Sequence, residues 1–156
     1  MNEPLKEQRK SGRFATDVEV YFHYPYDINT KVDYQLTDKN HVKLSPKYAG
    51  TSRNVSAEGL CFHSSKQLRG GDNLLIEVYL PGDESAINLE GTVRWCQSME
   101  KEAGFNTGVK LVTVNGQSVR ETIHFDEMYH IEWSLVLESI LGKYRILAQK
   151  RQPSIG

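Results

Sequence analysis

Between Asn88 and Cys96 the chain alternates strictly. Leu89, Gly91, Val93 and Trp95 take one side of a period-two pattern, and Asn88, Glu90, Thr92 and Arg94 take the other. Only an extended backbone turns such a pattern into one apolar and one polar face, so the segment predicts a half-buried β-strand. A strand of that kind needs partners, and the sequence supplies them as short runs separated by turn residues. Val18 to Tyr24 is β-branched and aromatic and is stopped by Pro25. Leu60-Cys61-Phe62-His63 follows Gly59, and Leu74 to Leu80 lies between Gly70-Gly71-Asp72 and Pro81-Gly82. Phe105 to Val114 is closed by Asn115-Gly116. In residues 25–52, Tyr34, Leu36, Val42 and Leu44 alternate weakly around Asp38-Lys39-Asn40, which predicts a hairpin or a long loop with strand-like arms. No helical period interrupts the series, so the fold is expected to be mainly β, an antiparallel barrel or sandwich.

The pattern changes near residue 117. Ser118-Val119-Arg120-Glu121 fits a helix capping box, and Trp133, Leu137, Ile140, Tyr144 and Leu147 recur at four-three spacing. A C-terminal helical extension is therefore expected over 117–150, weakened at Gly142 by roughly 1 kcal/mol relative to alanine. Its stripe suits packing on the open end of a barrel, or a homodimer. The first residues, 1–13, are charged and polar and read as a flexible leader, leaving 14–116 for the barrel.

Charge narrows the partners. With 19 basic and 20 acidic residues the net charge is −1, so no overall field recruits long nucleic acid or an anionic membrane. An anion site has to be local. The longest apolar run, Leu74 to Leu80, is interrupted by Glu77 and cannot span a bilayer, and the N-terminus has no apolar signal core, so a cytoplasmic location is expected. Cys61 and Cys96 fit reduced thiols on core strands. His23, His41, His63, His124 and His130 have no metal-ligand spacing, and neither a GxxxxGK loop nor a GxSxG elbow is present. No metal and no catalysis are expected.

Two short segments remain. Arg9-Lys10-Ser11-Gly12-Arg13 places two arginines four residues apart before the first strand, and Asn54-Val55-Ser56-Ala57-Glu58-Gly59 leads into the strand at Leu60. Separately, the first is ordinary solvated charge and the second ordinary turn chemistry. In this order, each abutting a strand, they resemble the RxxxR and (D/N)xSxxG motifs of the PilZ family. Glu90-Gly91-Thr92-Val93-Arg94-Trp95 and Thr107-Gly108-Val109-Lys110-Leu111 are also similar to that family, and the resemblance covers roughly residues 8–114.

The resemblance implies a six-stranded antiparallel barrel that binds cyclic di-GMP without catalytic activity of its own. It assigns Arg9 and Arg13 to base and phosphate, and Asn54 and Ser56 to guanine, with Gly59 permitting the turn. The chemistry is sound: an arginine fork matches a guanine O6/N7 edge or a phosphate bidentately and also stacks on bases. Gln8 stands where many members carry a further arginine associated with a stacked ligand pair. Trp95 stands where some relatives have a tryptophan near ligand, while its phase with Leu89, Gly91 and Val93 equally suits the core. The implied partners are cyclic di-GMP and a protein in motility or polysaccharide control. A PilZ-type adaptor without nucleotide binding and a nucleic-acid-binding small barrel are the competing readings.

Overall fold

The structure, a computed structural model, describes residues 26–81, 85–128 and 130–142. The strand expected at Val18 to Tyr24 lies outside them, as do Gln8, Arg9 and Arg13. Six strands close a barrel: β2 (Lys31–Thr37), β3 (Tyr48–Val55), β4 (Gly59–Ser64), β5 (Asn73–Tyr79), β6 (Ala86–Ser98) and β7 (Phe105–Val114). Their order is β3-β2-β5-β6-β7-β4, every pair is antiparallel, and β4 returns to β3. The short β1 (Tyr26–Asp27) also pairs with β3, at its Asn54–Val55 end, so the chain enters the described fold beside those two residues.

Alternation builds the core. Leu74, Ile76 and Val78 of β5 and Leu89 and Val93 of β6 point inward with Val32, Tyr34, Val55, Leu60 and Phe62. The Tyr34 ring lies 4.8 Å from Phe62 and 5.6 Å from Tyr48, and its hydroxyl is satisfied inside the barrel by Ser64 Oγ at 2.7 Å. Gly91 lets β6 cross β7 closely, since a Cβ there would stand 2.5 Å from Val109 Cγ1.

The expectation of a helix from Ser118 is corrected. Asn115 and Gly116 both have positive φ, 48° and 84°, and make a tight hairpin turn into β8 (Gln117–Ser118), which pairs with β7. A short 3₁₀ turn, Arg120–Thr122, follows, then a hairpin of β9 (His124–Asp126) and β10 (Ile131–Trp133). Val119, the second residue of the apparent capping box, is fully buried. The α-helix α1 is Leu135–Leu141, capped by Ser134, whose Oγ accepts from Val136 N at 3.1 Å. Seven residues are too few for an isolated helix. Val136, Leu137, Ile140 and Leu141 bury themselves in the barrel's core cluster, each worth about 1.5–3 kcal/mol, and that holds it. Tyr144 and Leu147 of the expected stripe lie outside the described residues.

Candidate functional site

The Asn54–Gly59 segment is the hairpin that closes the barrel. Asn54 and Val55 end β3, Gly59 and Leu60 begin β4, and Ser56 N donates to Gly59 O at 2.9 Å across the turn. Two neighbours fix the turn from outside. Leu111 N of β7 donates to Glu58 O at 2.8 Å, and Ser134 Oγ, the cap of α1, donates to Ala57 O. Gly59 has no left-handed φ; what it provides is room, because a Cβ would stand 3.1 Å from Ser56 Oγ and 3.4 Å from Val109 O.

Two bulges aim the surface around this turn. Ser52 and Val55 both point into the barrel, although an odd spacing cannot do that in regular β structure. The register shift between Ser52 and Asn54 absorbs the extra residue and turns both Arg53 and Asn54 outward. On β6 a second shift, between Val93 and Trp95, leaves Val93 buried and brings Cys96 against the core, so Arg94 and Trp95 both face out. Trp95 is 43% exposed, which decides its two readings against the core.

The registers place Asp27, Asn54, Cys61, Gly108 and Trp95 side by side across β1, β3, β4, β7 and β6. At ~4.8 Å per strand, Asn54 and Trp95 stand about 14 Å apart along this row. Between them are two small residues. Cys61 alternates with the inward Leu60 and Phe62, yet it is only 8% exposed; burial pushes its thiol up, while the Arg53 charge acts in the opposite direction. The Trp95 indole lies across Gly108, where a Cβ would sit 2.2 Å from its Cε2, so no other residue leaves the ring that place. The result is a shallow shelf: an indole at one end, a carboxamide at the other and an arginine beside each. Arg53 Nη2 meets Glu102 Oε1 of the β6–β7 connection at 2.5 Å. The same connection is tied to β4 through His63, which bonds Ala103 O at 2.8 Å and, on β7, Asn106 Oδ1 at 3.0 Å.

Of the residues expected from sequence, Asn54, Ser56 and Gly59 come together in one hairpin and Trp95 joins their row. Arg9, Arg13 and Gln8 lie outside the described residues. Sequence reasoning did not single out Arg53 and Asp27, because the β3 bulge and the β1 pairing, which no local pattern announces, set them beside Asn54; Arg94 was read as outward by its alternation but not joined to this row. A groove of about 490 Å³ lies over β2, β5 and β6, on another wall, and its carboxylates are paired: Glu77 with Lys47, Glu90 with His41 and Asp33 with Lys31. Among the described residues no three His, Cys, Asp or Glu form a metal-binding group, and no helix is long and apolar enough to cross a membrane.

A small closed antiparallel barrel with a polar shelf beside its closing hairpin is a ligand-receptor or adaptor module in form. Comparison with protein families matches residues 7–125 to the PilZ domain, and the chain belongs to that family. Among solved structures it is similar to that of the Bacillus subtilis inhibitor of motility, MotI/DgrA, with 16% identity and a TM-score of 0.48 over 73% of this chain. The chain spans about half of that protein, 50% of its length. No curated protein matches the chain.

Proposed function

We propose that the protein is a cyclic di-GMP receptor whose ligand lies on the shelf between Asn54 and Trp95 and is closed over by the N-terminal leader. The observation that carries the reading is the row itself, which sets hydrogen-bonding Asn54, with Ser56 on the adjoining turn, against a half-exposed indole over a floor of small residues. Such a surface suits a flat, polar-edged base: stacking on an aromatic face contributes about 1–3 kcal/mol, and the carboxamide reads the edge. The two phosphodiester charges need cations, which Arg9 and Arg13 bring. Tyr26 pairs with Val55, so the chain arrives at the turn 13 residues after Arg13. A polar, basic leader has little apolar surface with which to order itself; the dianion supplies what it lacks. The ordered leader changes the surface offered to a cytoplasmic protein partner controlling motility or polysaccharide. Gln8 argues for one bound molecule rather than a stacked pair.

Calorimetric titration with cyclic di-GMP tests this reading. Binding to the parent protein is expected, with Arg9→Ala or Arg13→Ala weakening it roughly ten- to a hundred-fold and leaving the melting temperature of the free protein within a degree or two. Parent protein that takes up no ligand would be a nucleotide-independent adaptor. Parent-like affinity in Arg13→Ala would remove the leader from the site.

A further inference from the structure

We infer that Arg53 is a further phosphate-binding arginine of the shelf, held in reserve by Glu102 until ligand displaces that carboxylate. This rests on the receptor reading above. The β3 bulge is the primary observation. Without the register shift between Ser52 and Asn54, the residue before Asn54 would take the opposite face; with it, Arg53 stands outward next to Asn54. Bulges re-aim side chains beside binding sites, and this one adds a guanidinium to the shelf. Cys61, in the middle of the row, is paired with Asn54, the residue next to Arg53.

The second observation is what Arg53 does meanwhile. Its Nη2 bonds Glu102 Oε1 at 2.5 Å, and the two side chains are 40% and 44% exposed. An ion pair so open to water is weak, so it yields readily to a stronger partner. A phosphodiester offers the same two-oxygen geometry as a carboxylate and binds the same guanidinium fork. The exchange needs no new charge on the protein: Arg53 turns from Glu102 to the phosphate, and Glu102 moves into solvent. The pair keeps a cation on the shelf while lowering the affinity of the empty site for simple anions.

The test is a double-mutant cycle read by titration with cyclic di-GMP. Arg53→Ala is expected to weaken binding roughly ten-fold, the loss of one such contact. Glu102→Gln is expected to strengthen it a few-fold, because the competing carboxylate is gone. In the Arg53→Ala background, Glu102→Gln should change nothing. If the pair merely braces the β6–β7 connection, both single variants lower the melting temperature and neither moves the affinity, which overturns the inference while leaving the receptor reading in place. A Glu102→Gln gain that persists without Arg53 also overturns it. A parent protein that binds no cyclic di-GMP removes the receptor reading, and this inference with it.

Discussion

At Gly108 a single methyl group decides whether the shelf exists. Its Cβ would fall 2.2 Å from Trp95 Cε2 and 2.4 Å from Nε1, so Gly108→Ala must lift the indole away from the sheet. The expected outcome is a red-shifted Trp95 emission, read in a Trp133→Phe background, with loss of ligand affinity and little loss of stability, since the ring lies outside the core. Gly59→Val strains the neighbouring hairpin more severely, because its branched side chain adds bulk where Ser56 Oγ is already 3.1 Å from the first carbon. Asn54→Ala and Ser56→Ala should lower affinity with modest structural cost. At this scale the motif was legible: Asn54, Ser56 and Gly59 announce themselves by type and spacing. Trp95 was legible only in part: the resemblance set it near ligand, whereas period-two counting from Leu89 carries it into the barrel, and the bulge at Arg94 reverses that phase.

The hairpin and α1 share one hydroxyl. Ser134 Oγ donates to Ala57 O and accepts from Val136 N, and Ser134 is 1% exposed. Ser134→Ala removes the cap, worth about 1 kcal/mol, and leaves the buried Ala57 carbonyl without that donor, about 1–3 kcal/mol more. Denaturant unfolding should therefore show a loss of about 2–4 kcal/mol. Titration should show weaker ligand binding as well, because the freed turn carries Ser56. Conversely, ligand on the turn should slow amide exchange in Leu135–Leu141. Elements with a strict pattern were readable in advance: β5 alternates throughout, and β6 does so from Asn88 to Val93. β3 was not, since Ala49, Gly50, Thr51 and Ser52 carry no apolar alternation and their strand is set by ladder bonds to β2 and β4. β9 and β10 were hidden for another reason: Trp133, Leu137 and Ile140 are all buried, so a helical count runs unbroken across the boundary at Ser134.

Across the whole molecule, the receptor reading requires two states that ligand tells apart. Hydrogen exchange with and without cyclic di-GMP is expected to show residues 1–12 gaining protection, while Asn88 to Cys96 is protected in both conditions because its exchange requires the barrel to open. Equal leader protection in both conditions, with binding confirmed, would send the signal by another route, and the Ala57–Ser134 bond is the candidate. The order in which the barrel is joined bears on its kinetics too. The β5-β6-β7 meander is built from sequence neighbours, but closure waits on β2 with β5 and on β4 with β7, partners that lie far apart in the chain. Contacts of long sequence separation form late and slowly. The shelf spans the β4–β7 seam, with Cys61 on one side and Gly108 on the other, so it is complete only once those strands are paired. Ligand seated across it should leave the refolding rate nearly unchanged and slow unfolding instead, as a clasp does on a closed ring.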